Sequence, residues 1–514
     1  MRREAFFPVD HGAVEAPCRP SILVMLLDLG EKSAMTSVDA LNRARYLLDQ
    51  GRTGEARQVL AEAIANGLDG APVRSLLGLV HHQLGDLSGC ERELRQAVRL
   101  APEDGAAEFA LASICYRLGN EAEAEAATRR AIAKGMDDVH SHLLLGRILN
   151  KQSRFAEAET AWRAAIRRDP ASPQGHRELA ELVWMQTGDL TKARAELDAA
   201  PQTAEIVTIT VHLLQGAGEE REAYALAAAG AQQDPTLHVL AARAALAIDP
   251  AASDRHLCAA PPGVTSAARA KTEIEVDLAL GRAEQAVRRA EALHASRSND
   301  QHATALLATA WRLAGDPRYR ALYDYDRLVR TYRIDPPQGW GSLDAYLRDL
   351  GQALDDIHGS LTHPVGQSLR HGSQTMRNLF DYPDGAIRAL FRTLDAPIGQ
   401  HIANLGTPHH NYAIASAWSV RLNSGGFHIN HVHPEGWISS AFYVRTPKNL
   451  QGSEGFLKFG EPGPPTKPHL REEHLVKPEP GLLVLFPSYM WHGTVPFASN
   501  EKRLTCAFDI VRRS

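Results

Sequence analysis

Asn430-His431-Val432-His433-Pro434 sets two imidazoles two residues apart, and Phe486-Pro487-Ser488-Tyr489-Met490-Trp491-His492-Gly493 supplies a third far downstream. In extended backbone, residues i and i+2 face the same way, so His431 and His433 can grip one metal ion. His492 follows the apolar run Leu482 to Phe486, which reads as a buried strand arriving from across a small barrel. Eleven residues later, Arg503-Leu504-Thr505 opens an alternating strand that continues to Val511. The apparent strands, at 413–422, 427–433, 437–446, 455–459, 482–486 and 503–511, suit a jelly-roll closure.

A histidine on its own is usually a surface or core residue, and this chain has 23. His401, His409, His410, His428, His469 and His474 therefore receive no role. The pair at 431 and 433 differs by its spacing and its downstream partner. A structural zinc site would favour thiolates, and this region offers only Cys506. Glu435 is a second candidate for the middle ligand if the strand continues past Pro434, although Pro434 and Gly436 suggest a bend there. Three side chains on one face of Fe(II), with the opposite positions open, is how non-haem iron oxygenases bind their metal. The planar fork of Arg503 matches a carboxylate such as the distal group of 2-oxoglutarate, with the Thr505 hydroxyl as a second donor. Tyr443, on the strand after the metal pair, is placed either against that carboxylate or in the core. Trp418, Trp437 and Trp491 are expected to pack the barrel.

Together these spacings resemble the double-stranded β-helix 2-oxoglutarate and Fe(II)-dependent oxygenases, whose usual pattern is His-x-Asp/Glu, a distal His, and an Arg about ten residues on. The resemblance is closer to a bacterial branch in which a tetratricopeptide array precedes the oxygenase domain. It is carried by Gln367 to Thr375, Ala417 to Leu422, Asn430 to Ser440 and Leu485 to Phe497. It implies His431, His433 and His492 as ligands of Fe(II), and Arg503, Thr505 and Tyr443 as contacts to 2-oxoglutarate. It also implies hydroxylation coupled to conversion of 2-oxoglutarate to succinate and carbon dioxide. The chain departs from the wider pattern in one respect: His433 stands where the carboxylate is usual, so three neutral imidazoles would leave the iron more positive.

Upstream, Gly51, Gly85, Gly119 and Ser153 recur every 34 residues and Gly188 follows after 35, which is the tetratricopeptide period. Small residues recur with them at Ala56, Cys90, Ala124 and Ala158. The expected architecture is multidomain α + β. Residues 1–38 form a disordered leader, and 39–335 an all-α tetratricopeptide solenoid with degenerate repeats near 200–265. Residues 336–514 form an oxygenase-like domain with a β core from about 413 and a helical front at 343–357 and 385–394. Pro336-Pro337-Gln338-Gly339 breaks the helical pattern and marks the boundary. Such helix pairs stack to bury their apolar faces and leave a concave surface. That surface suits a protein or peptide partner that serves as substrate; the alternatives are a purely structural solenoid or self-association into a homo-oligomer.

At 514 residues the chain holds two or three domains, and 44% hydrophobic with 23% charged residues is ordinary soluble composition. A net charge of −5, without basic clusters, gives no reason to expect nucleic acid. The apolar run 22–29 is too short for a membrane span and contains Asp28. Five scattered cysteines, Cys18, Cys90, Cys115, Cys258 and Cys506, speak against a disulfide framework and for a reducing cytoplasm. Two alternatives stay open: the same chemistry on a small molecule, or a metal-binding scaffold without turnover.

Overall fold

The computed structural model describes residues 36–263, 266–406 and 411–513. Residues 1–35 of the expected leader, including Cys18 and the apolar run 22–29, lie outside the described residues, as do His409 and His410. By packing, the chain divides into two compact units, Met1–Pro170 and Ala171–Ser514.

The first unit contains four described helix pairs. First helices begin at Ser37, Ala71, Gly105 and Val139, and second helices at Thr53, Leu87, Glu121 and Phe155, so both sets keep the 34-residue period. The array thus starts two residues ahead of the expected position 39. Thr36 caps the first helix in a reciprocal box with Asp39. The periodic markers end the first helix of each pair in the left-handed region: Gly51, Gly85 and Gly119 have φ of 70, 77 and 76°, and Ser153 has 62°. The next amide donates back to close each turn, as Arg52 N to Leu47 O at 2.8 Å and Arg154 N to Leu149 O at 2.9 Å. Ala56, Cys90, Ala124 and Ala158 are buried where paired helices touch. A Cβ at Gly146 would collide with the Trp162 indole, so glycine is required at that crossing.

Helix pairs continue in the second unit from Pro173 to Ala314. In the stretch expected to be degenerate the helices shorten to Leu190–Asp198, His238–Ala245 and Pro250–Ala259. Nine strands follow: β1 (Arg330–Arg333), β2 (Leu369–Gln374), β3 (Tyr412–His428), β4 (Ile438–Arg445), β5 (Leu457–Phe459), β6 (His474–Val476), β7 (Leu482–Pro487), β8 (His492–Thr494) and β9 (Arg503–Arg512). They form two antiparallel sheets, ordered β1-β7-β4-β9-β3-β2 and β6-β5-β8. Phe459 of β5 meets Phe486 of β7 edge to face at 4.9 Å, joining the two inner faces. Helices Leu343–Asp356 and Gly385–Asn404 cover the outer face of the larger sheet, sharing a core with Phe442, Leu483, Leu504 and Phe508.

Three differences from the sequence expectation have physical causes. Arg330–Arg333 already pairs with β7, so the chain enters the sheet ahead of the expected boundary at 335/336. The strand β2 precedes the expected β core and lacks β-branched and aromatic residues; its partner β3 imposes the extended form. The expected strand 427–433 is interrupted, because β3 ends at His428 and only a single antiparallel bridge, His431 to His492, resumes pairing.

The array and the sheets share one core. Leu278, Leu306 and Leu307 of the helices cluster with Phe459, Phe486 and Trp491. Trp491 Nε1 donates to Thr309 Oγ1 at 2.9 Å, and its backbone N–H donates to the Tyr323 hydroxyl at 3.1 Å. Gln301 N donates to Pro434 O at 3.1 Å. Trp491 thus packs the barrel onto the helices rather than the barrel alone.

Ser153 holds a conformation that costs a non-glycine residue about 1 kcal/mol. Replacing Ser153 by Gly is expected to stabilise the first unit by roughly 0.5–1 kcal/mol, read as a higher urea midpoint. Burial drives a second prediction. It pushes His358 down to about 3 and His363 and His401 down to about 4, so all three stay neutral when folded. The unfolded chain takes up these protons near the ordinary value of about 6.5, so stability is lost as pH falls from about 6.5 toward 4. Metal-free protein should show a falling urea midpoint across that window; a flat profile would contradict the burial argument.

Candidate metal centre

The donor atoms of His431, His433 and His492 lie within 4.8 Å of one another. Two elements hold them there. The bridge His431 N to His492 O (2.9 Å) and His492 N to His431 O (3.1 Å) ties the segment after β3 to the start of β8. His433 N then donates to Ser488 O at 3.0 Å, fixing the second histidine against the end of β7. Ring centroids are 4.2 Å apart for His431 and His492, and 5.2 Å for each ring with His433.

Each ring has its outer nitrogen engaged by an acceptor. The Nδ1 atoms donate to Ile429 O (2.8 Å), Asp509 Oδ2 (2.7 Å) and Met490 O (2.9 Å) from His431, His433 and His492 respectively. These oxygens accept, so each Nδ1 carries a proton, and on the neutral His431 and His492 the lone pair is left on Nε2. Burial, reinforced by the neighbouring imidazoles, pushes His431 down to about 3 and His492 well below its ordinary value, so neither relieves the crowding by taking a second proton. The Nε2 atoms of His431 and His433 face each other at 3.3 Å. The three rings thus present donor atoms close enough for one cation to bridge. The donor set therefore fits a divalent metal.

Glu435, the alternative middle ligand, is exposed in the turn after Pro434 and is not in the cluster. Trp418 stacks on His433 at 5.8 Å, and Phe486 meets His492 at 4.7 Å. The site also gathers residues that sequence reasoning passed over. Ser368 Oγ lies 3.0 Å from His428 Nδ1 and 3.3 Å from His431 Nε2, and His428 stacks on His431 at 5.8 Å. Asp509 sits on the inner-facing series Arg503, Thr505, Ala507 and Asp509 of β9, so strand alternation carried the signal.

Arg503 is 3% exposed, and no carboxylate pairs with it among the described residues. One guanidinium nitrogen donates to Gly455 O at 2.9 Å, while Nε has no partner. The guanidinium lies over the Tyr443 ring at 5.0 Å, and the buried Tyr443 hydroxyl is likewise unpartnered. Thr505 Oγ1 makes only a long bond to Val420 O, 3.4 Å. An unpaired buried cation costs several kcal/mol in order of magnitude. Its orphaned Nε beside a second orphan, the Tyr443 O–H, fits an anionic ligand.

Family models agree with both halves of the chain. One described as "Putative 2OG-Fe(II) oxygenase" matches residues 416–509, and one described as "Tetratricopeptide repeat" matches 41–89, 91–139 and 143–205. The chain carries tetratricopeptide repeats followed by a domain of that oxygenase family. Similar solved structures include PilF of Pseudomonas aeruginosa, at 16% identity over 38% of this chain and 90% of that one, with TM-score 0.32. MamA of Desulfovibrio magneticus RS-1 is 18% identical over 32% of this chain and 94% of its own, with TM-score 0.30. No curated protein matches the chain.

His492 is the ligand candidate from the smaller sheet, and its loss leaves two rings from one segment. His492→Ala is expected to abolish stoichiometric Fe(II) binding in anaerobic calorimetry. Retention of one tightly bound ion by that variant would remove His492 from the set.

Proposed function

We propose that the C-terminal domain is an Fe(II)- and 2-oxoglutarate-dependent dioxygenase that hydroxylates a protein or peptide recruited by the tetratricopeptide array. The convergence of three imidazole donors, in the same domain as a buried guanidinium without a paired acid, carries this reading. His431, His433 and His492 would hold Fe(II), and Arg503 would take the distal carboxylate of 2-oxoglutarate, with Tyr443 and Thr505 as neighbouring donors. Bound iron and co-substrate supply oxygen activation and decarboxylation to succinate.

The protein's own contributions are orientation and exclusion of water. The Nδ1 partners fix the three rings before any ligand arrives, so little reorganisation accompanies binding. Trp418 packs on His433, and Phe459 and Phe486 pack on His492, which lowers the local dielectric. The fixed guanidinium supplies direction, since a planar fork pairs with a carboxylate in one plane.

A polypeptide substrate is favoured by the way the array meets the domain. Repeats of this class mediate protein contacts, and here their last helices share a core with the strands that bear the site. A chain held on those helices would be delivered to a fixed distance from the metal, which turns substrate capture into positioning.

Full-length protein loaded anaerobically with Fe(II) is expected to release succinate from 2-oxoglutarate on exposure to air. Arg503→Ala should keep Fe(II) yet bind 2-oxoglutarate about 100-fold more weakly, the loss expected for charge-assisted hydrogen bonds totalling roughly 3 kcal/mol. Unchanged co-substrate affinity in that variant would overturn the role given to Arg503. Absence of both turnover and co-substrate binding in the iron-loaded wild type would favour a scaffold without catalysis.

A further inference from the structure

Three imidazoles bring no negative charge to a divalent cation, yet a carboxylate stands directly behind one of them. We propose that Asp509 is a positioning residue that supplies the metal centre's missing charge through His433. This rests on the reading of His431, His433 and His492 as a metal site.

The three rings are held unequally. His431 and His492 donate their Nδ1 protons to neutral backbone carbonyls, whereas His433 donates to a carboxylate oxygen at 2.7 Å. Among the described residues, Asp509 is the carboxylate that pairs with any of the three rings. A charge-assisted bond of this kind is stronger than an imidazole–carbonyl bond, and it pushes electron density through the ring toward Nε2. His433 is then the most electron-rich of the three donors, the one that behaves most like an anion.

Asp509 is itself built into place. It lies on β9, flanked by β4 and β3 within the larger sheet, opposite Ser439 on one side and Ser416 on the other. Its second oxygen accepts from Ser439 Oγ at 2.9 Å, and Ser439 is linked to Ser488 Oγ at 2.9 Å. Ser439 and Ser488 are fully buried. A Cβ at Gly436 would collide with Ser488 Oγ, so the glycine after the turn makes room for the network. The same Ser488 gives its carbonyl to His433 N at 3.0 Å. Carboxylate, serine pair and histidine backbone form one closed unit, and the carboxylate keeps only 15% side-chain exposure. No arginine or lysine pairs with Asp509 among the described residues, so the charge is aimed inward at the ring rather than spent on a surface partner.

The test is Co(II) titration of the full-length chain, read both as affinity and as the visible absorption of the bound ion. Wild type should bind one Co(II). Asp509→Asn keeps the shape and an acceptor for the Nδ1 proton but removes the charge. It should bind 10–100-fold more weakly, with a shifted visible band. Ser439→Ala, which only loosens the carboxylate, should weaken binding less and in the same direction, and it carries the test if Asp509→Asn does not fold. Wild-type affinity and an unshifted band in whichever variant folds would overturn the role of Asp509 while leaving the metal site intact. Failure of the wild type to bind Co(II), Fe(II) or Mn(II) would instead bring down the metal reading itself.

Discussion

The two hydrogen bonds exchanged by His431 and His492 are the constraint on which the C-terminal half depends. They join a segment just past the end of β3 to the first residue of β8, and so fasten the larger sheet to the smaller one. Without that bridge the two histidines belong to separate sheets. With it their rings sit 4.2 Å apart. Backbone pairing therefore sets the geometry of the site.

The second organising fact is the absence of a clean seam between the last helices of the array and the sheets. Trp491, adjacent to His492, is pinned by Thr309 from one array helix and by the hydroxyl of Tyr323 from the segment that follows it. Tyr323 in turn donates to Tyr489 O, and Tyr489 donates to Leu322 O. Arg312 donates to the carbonyls of Gly460 and Arg471. These polar anchors surround a shared apolar core, which makes the helices part of the wall that supports the site.

Much of this was legible in the sequence, for reasons that can be stated. The 34-residue markers were readable because a left-handed helix ending selects glycine, so a structural need leaves a compositional trace; Ser153 keeps the period while breaking the composition. The convergence of the three histidines was readable because residues two apart in extended backbone face the same way and an apolar run marks the strand before His492. β1 and β2 were not, because a short strand that exists by virtue of its partner has no pattern of its own. Helix Gly385–Asn404 runs past the expected stop at residue 394 because Pro397 is accommodated within it. Asp509 was missed although it follows Arg503 by three alternations, since an acid on a terminal strand is ordinarily a solvated one. Only the juxtaposition with His433, 76 residues away in sequence, gives it meaning.

The shared wall bears on how such a protein can be assembled from parts. Tetratricopeptide arrays are commonly regarded as interchangeable cassettes, added to or removed from a neighbour at a linker. Here the neighbour of the third histidine is itself seated on the array, so the last helices cannot be removed without uncovering Trp491. Drift in the helices around Thr309 and Tyr323 is felt one residue from the iron-binding candidate His492.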